Sequence, residues 1–265
     1  MAFLEYEYKM QVKYESPVSK CYFTVKCIPT LDLRQQPLSC EISINPETNY
    51  SFASDSFGNK TIIGSEMKPH DYFDLTVKGR VETQKSSLVS LDNSDNQGMY
   101  KYSYGKCILG RHLEKMVEKI EGELNPSADD QEKARYVMSE IYNSIIYKPN
   151  LTDTTTTAEE AMELTAGVCQ DYAHIMITIL RALGIPARYA CGFLIGEGKS
   201  HAWVEFLTNN RWYALDPTNN CVIDENYIKL GSGRDALDCS INRGTIWGGG
   251  KQEQIINLTV RKIYS

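Results

Sequence analysis

No segment of this 265-residue chain is apolar over the roughly 20 positions that a membrane helix needs, which excludes a helical span. No run of lysine and arginine occurs either. The 28 basic residues stand against 34 acidic ones, a net charge of −6, so a nucleic-acid surface is not expected. Histidine is scarce. The four histidines, at 70, 112, 174 and 201, are scattered, and none stands at ligand spacing from a cysteine, which argues against zinc. No loop of alternating acidic residues with a central glycine suggests calcium. The GxxxGGG run over 244–250 lacks the Lys and Ser/Thr of a phosphate loop. No cofactor is expected. The eight cysteines, at 21, 27, 40, 107, 169, 191, 221 and 239, form no Cys-x-x-Cys pair and no dense framework. Reduced thiols are therefore expected. The opening residues Met1-Ala2-Phe3-Leu4-Glu5-Tyr6-Glu7 lack the basic and apolar regions of a signal peptide, so the expectation is a cytoplasmic chain.

What is present is a globular composition: 42% hydrophobic and 23% charged residues, enough for one large domain or two modest ones. Tyr6, Tyr8, Met10 and Val12 alternate, as do Tyr22, Thr24 and Lys26. Short strands, broken by Pro17, Pro29, Pro37, Pro46 and Pro69, continue to about Tyr104. This spacing predicts a β-sandwich over 1–105. Gly58-Asn59 and the polar stretch Asp92-Asn93-Ser94-Asp95-Asn96 read as turns and loops.

The pattern changes near Lys106. Leu113, Met116, Val117 and Ile120 follow helical spacing, and so do Val137, Ile141, Ile145 and Ile146, with Ser127 or Asp129 as N-cap. Thr157 with Glu160 predicts a capping box for a helix over Ala158–Leu164. Strands are expected over Tyr189–Ile195 and Ile255–Ile263. Gly196 to Lys199 reads as a mobile connection, and Gly244–Gly250 as a flexible segment over a cleft. The predicted class is α+β: the β-sandwich, then a second domain over 106–265.

Within that second domain, one constellation carries chemistry. Gly167 lets the chain turn before Cys169. Tyr172, Ile175, Met176, Ile179, Leu180 and Leu183 then mark a helix with one buried face, stopped by Gly184 and Pro186. Cys169 falls in its first turn, where free N–H groups and the helix dipole favour thiolate and could hold an oxyanion. Residues 201–207 and 211–216 read as a hairpin around Asn209-Asn210. That turn sets His201 opposite Thr218 and Trp203 opposite Asp216, so His201 and Asp216 are diagonal neighbours on one face, roughly 7–8 Å apart at the backbone. A one-residue slip would separate them. Cysteine as nucleophile, histidine as base and aspartate as orienter is the arrangement of thiol acyl transfer. Each residue alone is as readily structural: a packed cysteine, a core histidine, an Asp-Pro turn. His174 lies about 140° round the helix from Cys169 and reads as structural. Asp171 favours the helix N-terminus by its charge. Trp203 is predicted beside His201, where it could shield the His–Asp bond.

Gly167-Val168-Cys169 with Asp171-Tyr172-Ala173, the run Arg181-Ala182-Leu183-Gly184-Ile185-Pro186-Ala187-Arg188, His201-Ala202-Trp203 and Asp216-Pro217-Thr218 resemble the transglutaminase-like superfamily. The likeness is greatest to its bacterial branch of transglutaminase-like cysteine proteases. Leu230-Gly231-Ser232-Gly233-Arg234-Asp235 resembles that branch's closing segment, although Ala236 stands where relatives often carry an aromatic residue. Tyr14-Glu15-Ser16-Pro17-Val18 and Asp55-Ser56-Phe57-Gly58-Asn59 resemble its N-terminal β-rich domain. The resemblance implies a papain-like core over 106–265, with Cys169 as nucleophile, His201 as base and Asp216 as orienter. It also implies an aromatic at Tyr147 that could help hold an oxyanion. The expected partner is a peptide, protein or small amide, with hydrolysis implied by the branch. Transamidation, another thiol acyl transfer and a non-catalytic binding protein are the alternatives.

Overall fold

The computed structural model describes residues 1–91, 95–198 and 200–263. The centre of the polar loop expected at 92–96 and Lys199 of the expected connection lie outside them. Strand β1 (Ala2–Val25) follows the alternation read from the sequence: Tyr6, Tyr8, Met10 and Val12 all point inward and are buried. It was expected to break at Pro17 and instead runs through it. Pro17 falls where the ladder skips from Lys13 to Val18, so its missing N–H leaves no bond unmade. Strands β2 (Gln35–Asn45), β3 (Tyr50–Ser54), β4 (Lys60–Glu66) and β5 (His70–Thr83) follow, then the short β6 (Leu88–Leu91).

A 3-10 turn (Asp95–Tyr100) leads to the helices. Helix α1 (Arg111–Glu123) buries Leu113, Met116, Val117 and Ile120, the four residues whose spacing marked it. Helix α2 (Asp130–Ser144) is capped by Asp129, whose carboxylate accepts from Glu132 N–H while Glu132 accepts from Asp129 N–H. Two-residue strand β7 (Ile146–Tyr147) follows. Helix α3 (Ala158–Leu164) begins with the Thr157–Glu160 capping box. Strand β8 (Ala166–Gly167) leads directly into helix α4 (Cys169–Ala182). The remaining strands are β9 (Ala187–Leu194), β10 (Gly196–Gly198), β11 (His201–Thr208), β12 (Arg211–Asp216), β13 (Cys221–Val222), β14 (Tyr227–Gly233), β15 (Asn242–Gly248) and β16 (Gln252–Ile263).

Two antiparallel sheets organise these strands. In the first, the initial arm of β1 lies between β16 and β5, and its second arm between β15 and β4. Both ends of the described chain thus meet in one sheet. The second sheet has the order β13-β12-β11-β9-β14, and β6 also pairs with β12. Phe193 of β9 joins the two through the core, its ring centroid 5.6 Å from Tyr6 and 5.8 Å from Tyr8.

Two glycine-rich segments differ from their sequence reading. Residues 244–248 belong to β15 and pair with β1, and none of 244–250 lines the cleft that contains His201; Gly248, Gly249 and Gly250 take positive φ in the turn to β16. Gly196–Gly198 is a short strand paired with β16. In both cases the partner is far away in sequence, and local composition does not reveal it.

The first sheet also grips β14. Gln35 Nε2 donates to the Lys229 carbonyl at 2.8 Å, and Lys229 N–H donates to Gln35 Oε1 at 2.7 Å. The side chain of Asn59 makes the same reciprocal pair with Ser232. Arg34, fully buried, donates to the carbonyls of Ser86, Asp224 and Tyr227. These contacts satisfy buried backbone groups that would otherwise cost about 1–3 kcal/mol each. No described helix is long and apolar enough to cross a membrane.

Candidate active site

Cys169 is the first residue of α4, where the helix itself offers no acceptor for the early N–H groups. The turn into it is built from Asp171. One carboxylate oxygen of Asp171 accepts from Val168 N–H at 2.7 Å and from the Thr152 hydroxyl at 2.6 Å. Burial raises the Asp171 carboxyl, and those bonds oppose the rise. Gly167 has an ordinary negative φ, so its role is not the conformational freedom expected from sequence. A Cβ there would stand 2.5 Å from Asp171 Oδ2. Glycine permits this close approach.

Helix α4 is buried on every side from Asp171 to Arg181, more than its one-faced rhythm suggested. It packs on β11 and is covered by α1, α2 and α3. Its polar residues find partners inside. Arg181 donates to the carbonyls of Tyr100, Tyr102, Ala187 and Arg234. His174 Nε2 accepts from Ala236 N–H at 3.1 Å, and burial pushes the imidazole down to about 3. His174 therefore fastens the segment after Asp235 as a neutral ring, in keeping with its structural reading.

The hairpin has the register expected from its turn. Val204 pairs with Leu215 and Thr208 with Arg211, and Asn209 and Asn210 both take positive φ. His201 consequently meets Asp216: Nε2 lies 2.7 Å from Asp216 Oδ2. Asp216 is fully buried. Its Oδ2 also accepts from Asn219 Nδ2 at 2.7 Å and from the Tyr227 hydroxyl at 2.9 Å, while Oδ1 accepts from the N–H groups of Thr218 and Asn219. Burial would raise this carboxyl, but the His201, Asn219 and Tyr227 bonds outweigh it and hold Asp216 below its ordinary range. For His201, burial favours the neutral ring. The hydrogen bond to Asp216, its charge and the neighbouring Cys169 overcome that and lift the imidazole to about 10. His201 and Asp216 are thus joined by a hydrogen bond, with Cys169 close enough to the ring to favour its protonated form.

Trp203 is fully buried and stands beside the imidazole, ring centroids 6.4 Å apart and near-parallel, so it forms an inner wall rather than a cleft surface. Tyr227 closes the other side, 6.0 Å from His201 and 5.7 Å from Trp203. Tyr147 reaches the site through a two-residue parallel ladder in which it pairs with Gly167. It is half exposed, and burial together with the nearby Cys169 raises its phenol. Tyr142, Tyr147, Leu194, Thr218 and Asn219 line, with His201, an open cleft of about 580 Å³. Sequence reasoning missed Tyr227 and Asn219. The only signal for Asn219 was its place after Asp216-Pro217-Thr218, and Tyr227 gave none. Among the described residues, no cluster of three or more His, Cys, Asp or Glu side chains could hold a metal ion.

The family model of the transglutaminase-like superfamily matches residues 115–217, which include Cys169, His201 and Asp216. That of the bacterial transglutaminase-like N-terminal region matches residues 4–82. The chain belongs to the transglutaminase-like superfamily. Uncharacterized protein ML0607 of Mycobacterium leprae is 26% identical over 271 residues, covering 94% of this chain and 95% of its own. A crystal structure of a candidate cysteine protease from Cytophaga hutchinsonii superposes with a TM-score of 0.82 at 19% identity, covering 100% of this chain and 91% of that one, and shares the fold. A protein-glutamine gamma-glutamyltransferase of Pseudomonas aeruginosa is similar over a shorter stretch, 32% identical over 84 residues, 27% of this chain and 13% of its own.

Proposed function

We propose that the protein is a thiol hydrolase, a transglutaminase-like cysteine protease or amidase that cleaves a peptide or small amide through an acyl-enzyme on Cys169. The observation that carries this reading is the imidazole of His201 bonded to Asp216, with the thiol at the start of α4 in its neighbourhood. An imidazolium and a helix N-terminus are both settings that favour thiolate. The thiolate attacks the amide carbonyl carbon, forming a C–S bond. N–H groups of the first turn of α4, with Tyr147 beside them, are placed to receive the oxyanion. The C–N bond then breaks, and the amine leaves with the proton of His201. Water attacks the thioester, gives a proton to His201, and the thiolate departs. Asp216 orients the ring throughout.

The N-terminal region, read as a β-sandwich domain over 1–105, serves as a brace for 106–265 in this proposal, because Arg34, Gln35 and Asn59 hold the strand that carries Tyr227. A cytoplasmic setting, where eight free thiols persist, fits the same reading.

The deciding experiment incubates the protein with a peptide pool and a primary amine, and compares product masses for wild type and Cys169→Ala. Cys169-dependent cleavage, or a gain of about one mass unit on glutamine, supports hydrolysis. An amine adduct replaces it with transamidation. Absence of any Cys169-dependent product overturns the proposal in favour of a binding protein on this fold.

A further inference from the structure

The cleft beside His201 differs in chemistry from the remaining surface. No Asp, Glu, Lys or Arg among the described residues lines it. By contrast, a depression of about 660 Å³ on the first sheet is lined by Glu5, Glu7, Glu41, Lys78, Arg80 and Arg261, among others. Tyr142 and Tyr147 expose 46% and 54% of their surface at the cleft. Apolar surface gathered in one place marks a binding site when a partner covers it. Here the position names the partner, because His201 forms part of the wall.

We infer that this cleft receives a bulky uncharged side chain, aromatic or branched aliphatic, next to the amide bond that Cys169 attacks. The inference rests on the thiol-hydrolase reading above and adds its substrate class. A carboxylate would give up its hydration with no Arg or Lys to receive it. An ammonium could stack on the tyrosine rings. It would do so with no Asp or Glu among the lining residues to pair with it. A ring or branched aliphatic group loses nothing on leaving water and covers both tyrosines.

The test uses chloromethyl ketone peptides that differ only in the residue beside the ketone: Phe, Leu, Ala, Glu or Lys. Thiolate displaces chloride from the methylene carbon, and intact mass with peptide mapping follows labelling of Cys169. Phe and Leu ketones are expected to label wild type roughly tenfold faster than the Ala, Glu and Lys ketones, the scale of pocket discrimination by apolar groups. In Tyr142→Ala the Phe-to-Ala ratio should fall several-fold. Tyr142 is a half-exposed surface residue, so this variant should fold, and the wild-type series stands without it. Equal or faster labelling by the Glu or Lys ketone overturns the inference, as does an unchanged ratio in Tyr142→Ala. A different result marks failure of the underlying reading: no ketone labels Cys169 faster than the exposed Cys40.

Discussion

Tyr227 donates its hydroxyl to Asp216 Oδ2 at 2.9 Å, the same oxygen that binds His201 at 2.7 Å. The tyrosine stands behind the carboxylate, and Arg34, just before β2, donates to the Tyr227 carbonyl. Tyr227→Phe keeps the ring and removes the bond. A buried bond to a charged group is worth about 1.5–3 kcal/mol, so the variant should be destabilised by that amount at neutral pH. Asp216 is held below its ordinary value of 3.8, so its contribution is present above that value and lost as pH falls through the depressed one. The stability gap between wild type and Tyr227→Phe should therefore narrow in acid. Denaturant melts at pH 7 and pH 3 check this.

His201 has the opposite sign. Its imidazole is lifted from 6.5 to about 10, so the stability it adds is complete below 6.5 and disappears as pH rises through about 10. Turnover that needs the imidazolium to protonate a leaving amine should fall above the same pH. Alkylation of Cys169, which needs no proton from His201, should not. Parallel pH profiles of hydrolysis and iodoacetamide labelling separate the two.

Cys169→Ala should leave the melting temperature within a few degrees of wild type while reducing turnover by at least about 1000-fold, because nucleophile loss removes the covalent route. Asp216→Asn should retain more activity than Cys169→Ala, since thiol and imidazole both remain. Single-turnover mass measurements of the acyl-enzyme would rank the two.

Gly167→Ala places a methyl group 2.5 Å from Asp171 Oδ2. The carboxylate must move, and its bonds to Val168 N–H and Thr152 loosen with it. Overpacking of this kind costs about 1–3 kcal/mol. Slower alkylation of Cys169 together with a lower melting temperature is the expected result.

What could be read from the sequence was what short-range chemistry decides. Asn209-Asn210 set the hairpin register, and with it the meeting of His201 and Asp216, because both residues accept positive φ. Thr157 and Glu160 announced α3 by the bonds they make to each other's backbone. The elements misread were those whose partners lie far along the chain. Pro17 looked like a strand break because its place opposite a skipped rung depends on β5. The glycines of 244–248 looked like a loop because β1, more than 200 residues earlier, makes them a strand. Tyr227 carried no local signal at all, since its value to Asp216 exists only once β14 joins the hairpin's sheet through β9.

Phe3 lies opposite Ile263 in an antiparallel ladder that continues to Tyr14 and Gln252. A force drawing those two residues apart would therefore act like a hand on a zipper. Each rung of β1 and β16 would open in turn, at low load, instead of the whole ladder yielding at once. Neither strand belongs to the sheet that carries His201 and Asp216. Under tension, the molecule should fray along the β1–β16 seam and surrender the pair His201–Asp216 late.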